Sequence, residues 1–171
     1  FSVVRYGNVM GSRGSVIPLF LKQRKEKFYT ITDKNMTRFN ISLEEGVQFV
    51  LSCLEVMNGG EIFIPKLKSY KIMDLLKAIS NKKLNFKIIG IRPGEKIHEE
   101  MISENDQSVY EFKNFYIIMP NSDFVSWNIN KIVKKYKGKK CVKNFSYNSL
   151  NNKDYLNSVK LRKTLQNAKI L

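Results

Sequence analysis

The sequence predicts an α/β fold. Short runs rich in Val, Ile, Phe and Tyr alternate with stretches whose apolar residues recur at helical spacing, and glycine- or proline-bearing turns separate the two kinds of segment. The usage of 43% hydrophobic and 26% charged residues is ordinary for a globular protein, and 171 residues are enough to bury one substantial core.

The first element is residues 1–6, a β-branched and aromatic run that reads as a buried strand. Such a strand needs neighbours on both sides, and the chain starts inside it without Met. The sequence is therefore expected to be the carboxy-terminal portion of something longer. Next comes a loop from Gly7 to Ser15 with glycines at 7, 11 and 14, which lets backbone approach another group closely. A short amphipathic helix is expected over 16–25, a strand over 28–32, a turn at Asp33-Lys34-Asn35 and an extended piece over 38–41. Ser42-Leu43-Glu44-Glu45 is a capping box that opens a helix carrying Val47, Phe49, Val50, Leu51, Leu54 and Met57, stopped by Asn58-Gly59-Gly60. A strand over 61–65 follows, then a helix over 70–80 capped by Ser69. The spacing further predicts a strand over 86–91, a turn at Arg92-Pro93-Gly94-Glu95, a helix over 96–102, a strand over 115–119, and helices over 127–136 and 159–167. Two parts are expected: residues 1–120, and a less apolar basic subdomain or tail over 121–171.

The formal net charge of +15 is that of a polyanion binder, which would use the lysines between Lys131 and Lys143 with Tyr136 interleaved. Two thirds of the surplus lies after residue 120, however, and most of the cations are lysines in a chain also rich in Asn. That pattern follows from an AT-rich coding sequence, so no nucleic-acid partner is expected. Two cysteines without Cys-x-x-Cys or Cys/His spacing argue against a metal site and for a reducing compartment. No long apolar run or signal peptide occurs, so a cytoplasmic location without a membrane segment is expected.

The chemistry-bearing residues are few. Arg5, Arg38 and Arg92 stand at strand ends or turns, and arginine offers a planar fork suited to phosphate oxygens. Arg92-Pro93-Gly94-Glu95 is the sharpest case: Pro fixes the turn, Gly lets backbone come close, and the amino terminus of the helix expected next favours an anion. Asn8, in the glycine-rich loop, could bond a phosphate or a sugar hydroxyl. The single histidine, His98, reads as structural, and Glu99 and Glu100 read as solvated on different faces of a helix. No nucleophile elbow, dinucleotide fingerprint or phosphate loop occurs, so no catalytic residue is assigned.

The series Arg5-Tyr6-Gly7-Asn8-Val9-Met10-Gly11-Ser12-Arg13-Gly14-Ser15-Val16-Ile17-Pro18, Ile31-Thr32-Asp33 with Met36-Thr37-Arg38-Phe39, Gly60-Glu61-Ile62-Phe63-Ile64-Pro65, and Ile89-Gly90-Ile91-Arg92-Pro93-Gly94-Glu95-Lys96 resembles the carboxy-terminal half of the inverting UDP-N-acetylglucosamine 4,6-dehydratases. These are extended short-chain dehydrogenases that open pseudaminic acid and related surface-sugar pathways. The ending Tyr147-Asn148-Ser149, Asn152 and Tyr155-Leu156 through Leu161-Arg162 is similar to the family's tail.

The resemblance implies the last strands of a Rossmann sheet plus a substrate-binding subdomain, with an upstream domain that binds NADP and carries the proton-transfer residues. In that chemistry hydride leaves C4, a base takes the C5 proton, the C6 hydroxyl departs, and hydride returns to C6 with inversion at C5. What carries over here is binding: Asn8 to sugar or diphosphate, Val16 and Thr30 near uridine, Arg38 and Arg92 to the diphosphate, and Glu95 to the ribose hydroxyls. Val9 and Arg13 would border the NADP cofactor. The residues agree chemically, since a diphosphate suits two forked donors and a diol suits a carboxylate. A UDP-sugar partner and a homo-oligomeric full-length enzyme are implied, with this chain inert by itself. A UDP-sugar 4-epimerase fragment and a nucleotide-sugar-binding module without turnover are the alternatives.

Overall fold

The computed structural model describes residues 1–81, 84–120 and 129–171. In chain order the elements are β1 (Val3–Val4), α1 (Val16–Gln23), β2 (Tyr29–Ile31), β3 (Thr37–Asn40), α2 (Leu43–Leu54), β4 (Ile62–Pro65), β5 (Lys68–Lys71), α3 (Ile72–Ile79), β6 (Phe86–Ile88), β7 (Glu100–Ile102), β8 (Val109–Glu111), β9 (Phe115–Ile118), α4 (Ile129–Tyr136), β10 (Lys139–Lys140), β11 (Tyr147–Asn148), β12 (Tyr155–Leu156) and α5 (Ser158–Asn167). The α/β class expected from the sequence is the one found. The start of the helix expected at Trp127 lies outside the described residues.

Two units form, each from three segments. The first takes Phe1–Tyr6, Glu44–Lys66 and Glu100–Asn148; the second takes Gly7–Leu43, Leu67–Glu99 and Ser149–Leu171. The stretch after residue 120 thus contributes to both.

In the first unit the sheet order is β1-β4-β9-β8-β10. β1 runs parallel to β4, with Val3 opposite Ile62, and the other neighbours are antiparallel. Within the described residues β1 stands at the end of this sheet, and Val3 is half-exposed at 53%. Phe63 and Ile117 anchor the core with Cys53, Phe112, Met119 and Ile132. Phe112 stacks on Phe115 with ring centroids 4.8 Å apart, so the hairpin between β8 and β9 closes over its own aromatic residues.

α2 starts at Leu43, directly after Ser42, with Glu44 and Glu45 in its first turn where the helix dipole favours them. Phe49 and Cys53 pack inward, while Val47, Leu51 and Leu54 are exposed, so this helix is apolar on two sides. After it, Gly59 and Gly60 take φ of 120° and 85°, the left-handed region that glycine alone enters freely. Glu61, fully buried, then accepts the Asn58 N–H at 2.7 Å and the Gly59 N–H at 2.8 Å. This carboxylate ties the turn to the start of β4.

In the second unit β12-β5-β3 form one sheet, and β2 pairs in parallel with β6. α3 packs against α1 and α5. Leu75, Leu76 and Ile79 are fully buried among Phe20, Ile31, Leu161 and Leu165. At α5 the Asn157 side chain accepts the Lys160 N–H, an N-cap that the sequence pattern did not flag.

Two expected helices change. Ser69 and Tyr70 belong to β5, with Tyr70 opposite Arg38 of β3, and α3 begins at Ile72. Ser69 cannot cap that helix because it is buried within the sheet, its N–H bonded to Asp154 O and its hydroxyl to Asn152 Nδ2. The helix expected over 96–102 does not form. Ile97 O accepts the Thr37 N–H at 3.1 Å and Glu99 O accepts the Ser149 N–H at 2.7 Å, which takes the carbonyls a helical ladder would need. Glu100–Ile102 pairs instead with β11. Among the described residues no helix is long and apolar enough to cross a membrane.

Candidate functional site

A cavity of about 220 Å³ opens in the second unit. Its walls are the loop after β1, α1, β2, the turn leading into β3, and the turn that carries Arg92. Seven of the eight expected binding residues line it: Asn8, Val9, Val16, Thr30, Arg38, Arg92 and Glu95. Strand geometry explains part of this convergence. Thr37 and Phe39 of β3 are buried while Arg38 and Asn40 alternate to the other face, where both reach the cavity.

Arg13 is not among the lining residues and is exposed. Its loop is shaped by packing. Gly11 has φ +74°, and a Cβ added there would lie 3.0 Å from the Ile170 side chain. Ser15, just before α1, lines the cavity; it makes no side-chain cap bond, and its buried hydroxyl has no protein partner among the described residues.

The two arginines differ in what holds them. Arg38, 13% exposed, gives Nη1 to the carbonyls of Thr37 and Ile97, each at 2.8 Å. Its Nη2 lies 3.9 Å from Glu95 Oε1 and its Nε 3.8 Å from Glu99 Oε1. It is an anchored cation with part of its fork already committed. The Arg92 side chain is exposed, and among the described residues no protein acceptor holds its guanidinium.

Glu95 is set by its own turn. Its N–H reaches Arg92 O at 3.0 Å, and its Oε2 faces the Arg92 N–H at 3.4 Å. The Thr32 hydroxyl donates to Oε1 at 3.3 Å. Gly94 takes φ +79° in this turn, and the helix whose amino terminus was expected to favour an anion behind it does not form. Thr30 is tied to Gln23, whose amide donates to Oγ1 at 2.7 Å and accepts the Thr30 N–H at 3.1 Å. The Thr30 hydroxyl hydrogen is left to bond elsewhere.

Glu99 was read as a solvated helix residue, and the structure corrects this. It is partly buried; its Oε2 accepts the Phe39 N–H at 2.7 Å and its Oε1 accepts from Asn8 Nδ2. Burial pushes its carboxyl above the usual range, and the Phe39 N–H, Arg38 and Asn8 oppose that only in part. Tyr70, which also lines the cavity, has its hydroxyl pushed up by burial and by the Glu99 charge, with Arg38 acting the other way. Behind these residues runs a polar network. Thr37 Oγ1 lies 2.9 Å from His98 Nδ1 and 2.7 Å from Ser149 Oγ, and the Tyr155 hydroxyl donates to Ser149 O at 2.5 Å. His98 belongs to this scaffold, consistent with its structural reading. Among the described residues no group of His, Cys, Asp and Glu could hold a metal ion.

The model of the polysaccharide biosynthesis protein family matches residues 1–120. The chain belongs to this family. Within it, the chain is 55% identical over 159 residues to UDP-N-acetylglucosamine 4,6-dehydratase (inverting) of Campylobacter jejuni serotype O:2, covering 89% of this chain and 47% of that protein. It is 45% identical over 123 residues to UDP-glucose 4-epimerase of Rickettsia bellii, covering 69% of this chain and 36% of the epimerase. The solved structure of Pen from Bacillus thuringiensis superposes with a TM-score of 0.82 at 30% identity, covering all of this chain and 51% of Pen. This family member thus spans about half the length of the Campylobacter relative.

Proposed function

We propose that this chain is the UDP-sugar-binding part of an inverting UDP-N-acetylglucosamine 4,6-dehydratase of surface-glycan or pseudaminic acid biosynthesis, acting in the cytoplasm as part of a homo-oligomer. One observation carries the reading: Arg92 and Arg38, which suit a diphosphate, share a single cavity with Glu95, which suits a ribose diol, and with Thr30 and Val16. In this reading the uridine end occupies the cavity of about 220 Å³, with the hexose on the Asn8 side of Arg38.

NADP, when bound, supplies hydride chemistry to such enzymes. Val9 would border it, and Arg13, exposed on the same loop, would lie nearby. In this reading the main part of the cofactor site belongs to the upstream half that the family resemblance implies. A 4-epimerase is the second reading, favoured by the Rickettsia match. Calorimetric titration with UDP tests the site: tight binding of UDP over inorganic diphosphate is expected, and equal or absent binding would refute it. Turnover of UDP-N-acetylglucosamine by a full-length parent separates the two enzymes, because dehydration gives a product lighter by one water and epimerisation an isomer. The chain alone is expected to turn over nothing.

A further inference from the structure

Whether Asn8 can serve a ligand as donor or as acceptor depends on which end of its amide Glu99 already holds. The Glu99 backbone is fixed at both ends by Ser149, its N–H donating to Oγ at 2.9 Å and its carbonyl accepting the Ser149 N–H at 2.7 Å. Its side chain is fixed by the Phe39 N–H on Oε2. Oε1 therefore stands in one place, in contact with Asn8 Nδ2. Oε1 accepts from Asn8 Nδ2, and whenever the carboxylate is ionised, turning the Asn8 carbonyl toward it would press two acceptor oxygens together. Nδ2 faces Glu99, and Oδ1, at the other edge of the planar amide, meets no protein donor among the described residues.

Arg38 orders the groups along the cavity. It lies between Glu99, 3.8 Å from its Nε, and Glu95, 3.9 Å from its Nη2. Thr32 and the backbone of Arg92 adjoin Glu95, whereas Asn8 adjoins Glu99. A ligand with its ribose at Glu95 and its diphosphate at the arginines brings its hexose to the Asn8 side.

The geometry points to Glu99 as a positioning residue that sets the sugar preference of the pocket, by holding Asn8 as a hydrogen-bond acceptor for a donor group on the hexose rather than as a donor to phosphate. This rests on the UDP-sugar reading above. Glu99 itself touches no ligand; it acts through the orientation of Asn8.

The test uses the full chain, with UDP-N-acetylglucosamine and the methyl ester of UDP as probes, since both carry the same diphosphate diester charge. The sugar is expected to improve the dissociation constant by about tenfold, the worth of one or two hydrogen bonds. That increment should disappear in Asn8→Ala and in Glu99→Gln, and fall no further in the double variant. In ¹⁵N spectra without ligand, the Asn8 Nδ2 proton resonances should move in Glu99→Gln, and in the unsubstituted chain should follow the titration of Glu99. A sugar increment retained in Glu99→Gln, or losses that add in the double variant, would overturn the assignment. Should Glu99→Gln not fold, Asn8→Ala and the titration of the unsubstituted chain carry the test: an increment kept without Asn8, or Nδ2 resonances blind to Glu99, overturns it equally. If neither probe binds while the Nδ2 resonances respond to Glu99, the UDP-sugar reading is what fails, and the sugar preference fails with it.

Discussion

Arg92→Ala gives the cleanest test of the binding site, because the side chain has no protein duties among the described residues. Its guanidinium is exposed and lines the cavity, while the turn it belongs to is held by backbone contacts to Glu95 that alanine keeps. Truncation therefore removes ligand contacts and leaves the fold alone. Hydrogen bonds to charged groups contribute about 1.5 to 3 kcal/mol, so the dissociation constant for UDP should rise by roughly 10- to 150-fold. The assay is calorimetric titration of the chain and its variant with UDP and with uridine, alongside thermal melts. Uridine affinity and melting temperature should hold while UDP affinity falls. Arg38→Ala is the contrast: its Nη1 bonds to Thr37 O and Ile97 O are lost too, so that variant should melt earlier. Unchanged UDP affinity in Arg92→Ala, or an equal loss for uridine, would refute the placement of the diphosphate at Arg92.

Three further outcomes test the architecture. Glu61→Ala strips the acceptor from the N–H groups of Asn58 and Gly59; losing two such bonds to a buried carboxylate should cost about 3 to 5 kcal/mol in urea unfolding, with Glu61→Gln milder because it keeps one acceptor. Leu76→Ala, at a fully buried position in the second unit's core, should cost about 2 to 5 kcal/mol by the same method, and Val159→Ala, at 75% exposure, next to nothing. Glu111 is held below the usual carboxylate value of 4.5, first by the Lys66 hydrogen bond at 2.8 Å and then by Lys139 at 3.0 Å. Its contribution, about 0.2 to 1 kcal/mol for partly exposed pairs, is present above pH 4.5 and lost as pH falls through the lowered folded value, so Glu111→Gln should flatten that part of the acid unfolding curve.

The elements that were legible are those whose signal is local. α2 begins at the Ser42-Leu43-Glu44-Glu45 signal, and α1, β2, β4 and β9 fall within the stretches that periodicity marks. The misread elements share a different cause. Residues 69 and 70 look like a helix start, since a serine stands before an amphipathic run, yet Ser69 is claimed by Asn152 and Asp154, more than eighty residues away in sequence. Residues 96–102 contain nothing that forbids a helix. Thr37 and Ser149 take the carbonyls of Ile97 and Glu99, and no window around residue 99 shows either partner. Two- and three-residue strands such as β8, β11 and β12 lie below the length at which alternation can be detected.

Arg38 and Arg92 look alike in sequence, each an arginine beside a turn, and both line the cavity. Their surroundings assign them unlike tasks. Arg38 sits in a β-strand, where alternation turns it away from buried Thr37 and Phe39, and two carbonyls and two carboxylates surround it. Such a cation offers a fixed field, and binding requires no ordering of its side chain. Arg92 sits on an exposed turn with its fork open, so it must lose freedom on binding but can supply two parallel hydrogen bonds. Glu99 is the residue whose environment was least visible, because its neighbours Asn8, Phe39 and Arg38 come from 60 to 91 positions away. A carboxylate beside an expected diphosphate site would by charge alone oppose the ligand. Held by the Phe39 N–H and turned on Asn8, it aligns an uncharged amide instead, and the electrostatic cost is limited by the Arg38 guanidinium 3.8 Å away.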